Sequence, residues 1–522
     1  MKKIILYIFF TISAIDLHAQ TATLLSDGAA DFLRRSQLES KVSSSSSIMI
    51  NSFSSNLLGI DSLLDTPPKM FKLAKIKVEV LPLNRTAQFN SDIAHGSNDD
   101  AMIPSKGMQW VLSGGVKLGW NHLELQLKPE YIYAQNLPFE TFPTEHYPLF
   151  WQQYYRWLNH IDNPENFGNS IYRKVVPGQS SLKYKFKQWE VGVSSENLWW
   201  GPGRFNALIL SNNAPGFLHF TANTTSPIKT RWGMLEGQVI AGRLESSGIL
   251  PPDHYRYMDG VSLYVPKPGN NRYIKGAILS WQPKWTPHVF LGFTTVNYGY
   301  EGKSASSTMG SLFARYIMPK DKAELYFEFG RNDKMPTPIN IATDNGFPRA
   351  YVAGFRKLVP IQNPADQKYI ELAGELTQLQ LPTSTATFEG QSWYTSANVQ
   401  HGYTNQGKVL GAGIGPGSNS QNIAISYVHG FTKLGVQFER LLHNNDFYYN
   451  AFIITNDATR HWVDVSTTFI ANYKYKRFLL SSKMGFIRSL NYEWYILEGQ
   501  GYFKNGYDVF NFHTNLSLSY RF

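Results

Sequence analysis

Residues 123–133 read LELQLKPEYIY, and apolar side chains occupy alternate positions in this stretch. Polar or charged residues fill most of the positions between them. Successive side chains of a β-strand point to opposite faces, so this alternation predicts a strand with one apolar and one charged face. The same arrangement recurs at residues 182–187, 324–329 and 433–439. The chain is therefore predicted to be rich in two-faced strands.

The carboxyl end decides between the two folds that such strands allow. In a soluble sandwich the apolar faces pack inward, whereas in a membrane barrel they face lipid. Residues 516–522 read LSLSYRF, so an alternating pattern runs up to Phe522. A last strand that finishes on an aromatic residue resembles the signal by which the barrel assembly machinery recognises outer-membrane barrels. We therefore expect an all-β fold, a transmembrane antiparallel β-barrel.

Composition also favours a barrel over helical membrane spans. The mean hydropathy is -0.29, and beyond residue 19 no stretch approaches the roughly 20 apolar residues that a spanning helix needs. Aromatic residues nevertheless make up 15% of the chain. A barrel accounts for both facts, because it presents alternate residues to lipid and concentrates aromatic rings at both interfaces. We expect about 18 strands, with short periplasmic turns and long outward loops.

Three segments are predicted along the chain. Residues 1–19, in which two lysines precede an apolar run, form a signal peptide cleaved before Gln20. Residues 20–71 form a small α-helical periplasmic segment, and the spacing of apolar residues predicts a helix over 27–38. Residues 72–522 form the barrel. The helical segment either plugs the barrel or contacts a periplasmic partner.

Cysteine usage and net charge restrict the chemistry. The chain has no cysteine, which excludes disulfides, thiolate metal sites and a lipid anchor on cysteine. Its 13 histidines are scattered without metal-ligand spacing, so we expect no metal and no other cofactor. The formal net charge of +10 favours acidic surface polysaccharide and the phosphates of lipopolysaccharide as partners. We expect a monomer in outer-membrane lipid, with no nucleic acid as partner.

Six blocks in the first half of the chain are more specific than general barrel sequence. They are NDDAMIPSKG at 98–107, YYRWLN at 154–159, PGQSS at 177–181, ENLWWGPGR at 196–204, SNNAPG at 211–216 and GQVIAGRL at 237–244. In this order they resemble the Wzi family of outer-membrane capsule assembly proteins. The resemblance runs from about residue 76 to about residue 300 and more faintly to Phe522.

The family resemblance implies a fold and a function. It implies an occluded barrel of 18 strands with a helical periplasmic segment. It also implies a lectin that binds capsular polysaccharide and organises it at the cell surface, without catalysis or transport.

Two predicted loops, 137–179 and 198–229, carry the candidate polysaccharide-binding residues. Sugars present apolar C–H faces and rims of hydroxyls, so lectin sites combine aromatic rings with amides and guanidinium groups. The candidates are Tyr154, Tyr155, Arg156, Trp157, Trp199, Trp200, Arg204, Asn206, Asn212 and Asn213. They also have a structural interpretation, because Tyr and Trp form interfacial girdles. Gly201 and Gly203 are expected where the backbone geometry excludes a Cβ atom.

Two other functions are weighed against binding. A pore or uptake channel requires an unblocked lumen. A surface glycoside hydrolase requires paired carboxylates, for which Asp99 with Asp100, or Glu140 with Glu145, are the candidate pairs. Nothing in the sequence sets the separation of either pair, so no catalytic residue is assigned and the chain is expected not to be an enzyme.

Overall fold

A closed antiparallel β-barrel of 18 strands forms the body of the protein. The computed structural model describes residues 27–43, 45–50, 64, 66–251, 253–332, 348–361, 366–381, 392–452, 461–495 and 507–522. The first barrel strand pairs with both the second and the last, which closes the sheet. The predicted fold and strand number are therefore confirmed. The predicted signal peptide at residues 1–19 lies outside the described residues.

The barrel strands follow one another around the wall in chain order. They are β1 Ile76–Asn90, β2 Gly107–Trp120, β3 Leu123–Leu127 with Glu130–Ala134, β4 Tyr172–Val176 with Ser181–Phe186, β5 Trp189–Ser194, β6 His219–Thr224 with Ile228–Thr230, β7 Gly233–Leu244, β8 Arg272–Pro283, β9 Val289–Tyr300, β10 Ser306–Met318, β11 Ala323–Arg331, β12 Arg349–Pro360, β13 Lys368–Gln378, β14 Asn419–His429, β15 Thr432–Leu442, β16 Val463–Tyr475, β17 Phe478–Leu490 and β18 Val509–Tyr520. Strands β3, β4 and β6 are each interrupted once. A short strand, Met70–Leu73, pairs with the start of β1.

Connections alternate between short turns and long loops, which distinguishes the two ends of the barrel. Two-residue turns such as 121–122 and 187–188 lie at the end we call the short-turn end. The opposite end, the long-loop end, carries the connections 135–171, 195–218 and 379–418.

The loops predicted over 137–179 and 198–229 are shorter than expected. Residues 172–176 and 219–224 belong to strands β4 and β6. Their alternation is too short to distinguish them from the loop sequence on either side.

The two faces of the wall differ in chemistry as the alternation predicts. On β11, Leu325 and Phe327 are 51% and 46% exposed on the outside, whereas Glu324 and Glu328 are fully buried on the lumen side. Exposed aromatic side chains border the short turns at Trp120, Phe186, Trp189, Trp232, Trp285, Tyr475 and Phe478. An apolar outer band edged by aromatic rings is the surface that a lipid bilayer covers.

Three helices lie among the described residues, α1 Asp27–Leu38, α2 Pro148–Leu158 and α3 Asn445–Phe452. None of the described helices has the length and apolarity required to cross a membrane. The helix predicted over 27–38 is present as α1. It lies inside the lumen at the short-turn end, where Nη2 of Arg35 donates to the carbonyl oxygen of Gly430 in a short turn (2.5 Å).

Apolar and charged contacts together hold α1 in the lumen. Phe32 and Leu33 pack with Phe431 and Leu479 of the barrel. On the charged side, Asp31 accepts hydrogen bonds from Arg204 (2.9 Å), Arg356 (2.7 Å) and Lys433 (3.1 Å). Helix α1 therefore occupies the barrel, at the end predicted to be periplasmic.

The connection 195–218 also folds into the lumen, and two glycines allow it. Gly201 has a φ of +131°, which L side chains rarely adopt. A Cβ atom on Gly203 would lie 1.8 Å from the backbone oxygen of Asn206. The carboxylate of Glu375 accepts the backbone N–H groups of Arg204 (2.6 Å) and Asn206 (2.9 Å). The glycines are therefore required by backbone geometry, as expected.

Candidate functional site

Helices α2 and α3 cover the lumen at the long-loop end. Helix α2 begins with Pro148 in its first turn and buries Phe150, Trp151, Tyr154, Tyr155 and Leu158, which fall on one side of the helix. This side packs against α3, and the joint aromatic cluster includes Phe447, Phe452 and Trp494. Stacking of Phe142 on Tyr154, with ring centroids 4.3 Å apart, belongs to the same cluster. We call this layer of packed aromatic side chains, which covers the lumen, the aromatic roof.

A cavity of about 370 Å³ lies beneath this roof. This volume is in the range of small-ligand pockets, roughly 300–1,000 Å³. The ring-bearing lining residues include Tyr154, Trp157, Trp462, Tyr492 and Trp494. The amide-bearing lining residues are Asn98, Asn163, Asn206, Asn213, Asn422, Gln437, Asn444 and Asn515. Aromatic faces and amides thus share one enclosure, which is the combination that sugar recognition requires.

Hydrogen bonds hold the polar lining residues in place. The hydroxyl of Tyr154 donates to Glu165, whose other oxygen accepts the backbone N–H of Phe142 (2.9 Å). Nδ2 of Asn213 donates to the carbonyl oxygen of Val409 (2.9 Å), and Nδ2 of Asn206 donates to the hydroxyl of Thr377 (3.2 Å). The cavity is therefore largely organised before any ligand arrives.

Trp462 is fixed by contacts on several sides. Its ring stacks on His443 with centroids 3.8 Å apart, and its indole N–H donates to Ser489 (2.7 Å). His443 in turn pairs with Asp464 at 2.8 Å. Trp494 meets Trp462 at a right angle with centroids 5.2 Å apart. The two indole rings are therefore held at a right angle to each other by their neighbours.

Burial changes the acid–base behaviour of loop groups around the cavity. Burial raises the pKa of Asp99, although Lys408 opposes the shift. Burial also lowers the pKa of Lys408 to about 8. The pKa of Glu493 is raised well above its usual value by burial and by the negative charges of Glu165 and Asp464. The site therefore disfavours additional negative charge near Glu493.

Four of the ten candidate residues line the cavity: Tyr154, Trp157, Asn206 and Asn213. They come from two connections that the fold brings together, 135–171 and 195–218. Of the four, Trp157 is partly exposed and Tyr154 is almost fully buried.

The other six candidates lie elsewhere. Tyr155 is buried in the aromatic roof and Arg156 faces solvent. Trp199 and Asn212 are partly buried outside the cavity lining. Trp200 is fully buried, and its indole N–H donates to Gln238 (2.9 Å). Arg204 pairs with Asp31 of α1. Trp200 and Arg204 therefore make contacts within the barrel and do not line the cavity.

Sequence reasoning missed the lining residues supplied by the second half of the chain. Trp462, Asp464, Tyr492, Glu493 and Trp494 reach the cavity from strand ends and connections that the six blocks do not cover. The signal that was available is the aromatic and acidic stretch NYEW at 491–494. Its backbone is unusual, because Asn491, Glu493 and Trp494 all have φ near +50°, a conformation that costs non-glycine residues energy.

A second, larger groove lies beside strands β4 and β5, where the strands of the barrel wall are short. Strand β5 has six residues, and residues 172–176 of β4 pair on one side only among the described strands. The groove there measures about 1270 Å³, and its lining includes the exterior residues Val175 and Leu218. None of the ten candidates lines it.

The closed 18-stranded wall, with an apolar exterior and a charged lumen filled by inward segments, defines the class of outer-membrane-type β-barrels. Residues 115–264 match the family model described as capsule assembly protein Wzi. Five of the six blocks, all except 98–107, lie within this segment. The predicted resemblance to this family is therefore confirmed over this segment.

Solved structures give the same result for the fold. The structure of Wzi from Escherichia coli, described as a carbohydrate-binding β-barrel involved in group 1 capsule assembly, aligns over 97% of this chain and 100% of that chain with a TM-score of 0.61 and 10% identity. A BenF-like porin from Pseudomonas fluorescens and OccAB2 from Acinetobacter baumannii each align over 85% of this chain and 98% of theirs, at 10% and 11% identity. Their TM-scores are 0.39 and 0.40. No curated protein sequence matches this chain.

Proposed function

We propose that this protein is a non-catalytic outer-membrane lectin that binds capsular or other surface polysaccharide and organises it at the cell surface. The observation that carries the proposal is the cavity under α2 and α3, in which Trp157, Trp462 and Trp494 share an enclosure with amides and carboxylates. Aromatic rings cover the apolar face of a sugar while planar polar groups bond its hydroxyls. The match of residues 115–264 to the model of a capsule assembly family supports this function.

The long-loop end then faces outward and the short-turn end faces the periplasm. This orientation follows the usual arrangement of outer-membrane barrels, whose short turns are periplasmic. It puts the cavity on the side where surface polysaccharide is found. The exterior residues around the barrel contact membrane lipid and lipopolysaccharide, and the barrel assembly machinery inserts the chain as a monomer.

Binding is favoured over conduction because segments of the chain occupy the lumen. Helix α1 lies at the short-turn end and the connection 195–218 lies above it, joined through Arg204 and Asp31 (2.9 Å). A channel would instead show stepwise ion conductance in planar bilayers. We expect the purified protein to show none, and large steady conductance would favour the channel.

Binding is also favoured over hydrolysis. Of the carboxylates considered as catalytic pairs, Asp99 lines the cavity but Asp100, Glu140 and Glu145 are not among its described lining residues. A hydrolase would shorten its glycan, so the chain length of native polysaccharide incubated with the purified protein distinguishes the two functions. We expect that length to stay unchanged.

The decisive experiment compares cells with and without the gene. Surface polysaccharide is measured as the fraction that remains with the cells after washing, and purified protein is tested against the same polysaccharide on an array. We expect deletion to move polysaccharide into the medium, and we expect the protein to bind it directly. Full retention of polysaccharide by the deletion strain contradicts the proposal.

A further inference from the structure

The cavity under α2 and α3 carries more acid than base. Its lining carboxylates are Asp99, Glu165, Glu439, Asp464 and Glu493, its lysines are Lys408 and Lys483, and its histidines are His95, His443 and His513. Histidine contributes little positive charge near neutral pH unless its surroundings favour the imidazolium. The described lining therefore has more acidic than basic side chains, although the whole chain has a net charge of +10.

The positive charges are concentrated at one part of the cavity. The charges that act on Asp99 are Lys408, Lys483 and His95. Nζ of Lys408 donates to the carbonyl oxygen of Met102 (2.7 Å), so this lysine is held by the backbone. The charged groups that act on Glu493 are instead carboxylates, those of Glu165 and Asp464. A ligand close to Glu493 therefore meets a negative field.

Glu493 differs from the other acidic lining residues in having no partner. Asp99 accepts from Gln88 (3.0 Å), Glu439 accepts from Asn422 (3.1 Å), and both Glu165 and Asp464 also accept hydrogen bonds. The side chain of Glu493 is not hydrogen-bonded or ion-paired to any residue in the described part of the chain, and the residue is 6% exposed.

A buried carboxylate without a partner needs a donor to compensate for the loss of water. Sugar hydroxyls and ammonium groups are such donors, and an ammonium group also relieves the repulsion from Glu165 and Asp464. The carboxylate of a uronic acid offers no donor and adds a further negative charge. The neighbouring Trp494 and Trp462 supply the apolar surface on which such a sugar stacks.

We infer that this cavity selects a sugar unit without a carboxylate, either a neutral sugar or an amino sugar, and that Glu493 accepts the hydrogen bond of its hydroxyl or ammonium group. The inference rests on the proposed lectin function and names the class of sugar that the site takes. It is opposite to the expectation of an acidic polysaccharide, which was drawn from the net charge of the chain.

Matched oligosaccharides test the inference directly. The full-length protein in detergent is titrated, at low salt and neutral pH, with oligogalacturonate and with its methyl ester, which differ in carboxylate charge. Glucosamine oligomers and their N-acetylated counterparts form a second pair that differs in ammonium charge. Binding is measured by calorimetry. We expect the methyl ester to bind at least tenfold more tightly than the free acid, and the free amine to bind more tightly than its N-acetylated form.

Two variants show whether Glu493 is responsible. Glu493→Gln keeps the shape of the side chain but cannot become negatively charged when an ammonium group binds, so both charge preferences are expected to shrink several-fold. Glu301→Gln makes the same change on an exposed loop outside the cavity lining and is expected to leave them unchanged. If the Glu493→Gln variant does not assemble, the titrations of the wild-type protein with the four oligosaccharides still test which sugars the cavity selects.

The outcomes separate this inference from the proposed function. Equal or tighter binding of the free oligogalacturonate overturns the inference and leaves the lectin function in place. Equal charge preferences in the Glu493→Gln variant and in wild type overturn the role of Glu493. Failure of a properly assembled barrel to bind any of the four oligosaccharides counts against the lectin function itself.

Discussion

Replacement of Asp31 by Asn should weaken the docking of helix α1 in the barrel. The carboxylate of Asp31 lies 2.7–3.1 Å from side-chain nitrogens of Arg204, Arg356 and Lys433. Asn keeps the size of the side chain but removes the negative charge that these three cations share. Breaking a buried ion pair costs about 3–5 kcal/mol, because the remaining charges stay buried. Glu371, which lies 2.8 Å from Lys433, still compensates part of this charge.

We therefore take the lower end of that range, about 3 kcal/mol, as the loss in docking free energy. Since 1.4 kcal/mol corresponds to a factor of ten, the undocked population should rise on the order of a hundredfold. The apolar contacts of Phe32 and Leu33 with the barrel remain, so α1 stays mostly docked. The substitution therefore increases how often α1 undocks and leaves the barrel folded.

The absence of cysteine makes this change measurable. A single cysteine at Ala29, which is 2% exposed, is labelled by a maleimide when α1 undocks. When docking is fast relative to labelling, the rate follows the undocked population. We expect faster labelling with Asp31→Asn than with wild type.

A matched surface variant provides the control. Asp321→Asn makes the same chemical change at an exposed residue 4.0 Å from Lys357, and such pairs contribute roughly 0–1 kcal/mol. The reasoning about α1 is refuted if the Asp31 and Asp321 variants label at the same rate.

The same network predicts how docking depends on pH. Burial acts to raise the pKa of Asp31, but Lys433, Arg356 and Arg204 outweigh it and hold the pKa well below its usual value of 3.8. A carboxylate whose folded pKa is depressed contributes stability above its unfolded pKa, and this contribution is lost as pH falls through the folded pKa. Maleimide reacts with the thiolate, so the labelling rate at position 29 is divided at each pH by the rate for the denatured chain. This ratio should not change on account of Asp31 between pH 7 and pH 5, and it should rise in strong acid.

Three further predictions concern the cavity, the carboxyl end and α3. Trp157→Ala should weaken glycan binding about tenfold without affecting barrel assembly, because it removes an aromatic lining residue worth roughly 1–2 kcal/mol. Gln152→Ala, on the exposed side of α2, is the control, and a loss of heat-modifiable barrel by Trp157→Ala equal to that on removal of Phe522 would make Trp157 structural. Deletion of Phe522 should lower the yield of heat-modifiable barrel itself, and normal assembly would contradict the role of the last strand. Burial raises the pKa of Asp446 from 3.8 to about 6, so the α3 region loses stability as pH rises from about 4 to about 6. Asp446→Asn should therefore protect α3 from protease at pH 8 more than at pH 4, and equal protection at both would contradict this.

The fold could be predicted from the sequence because its signal is local. Alternation at stretches such as 123–127 and 324–328 assigns each side chain to the lipid or to the lumen, whichever strands become its neighbours. The helix over 27–38 was visible for the same reason. Its position in the lumen was not, because that depends on contacts such as the one between Asp31 and Arg356, whose residues are far apart in the chain.

The candidate site could be predicted only in part. The sequence blocks pointed to Trp157 and Asn206, but nothing local indicates that Glu493 and Trp494 line the same cavity. Closure of the barrel brings these connections together, and only the tertiary structure decides which side chains face the enclosed space. The same holds for charge: the sequence determines a sum of +10 over the whole chain, whereas the field inside a cavity depends on the few charged groups that line it and on their burial.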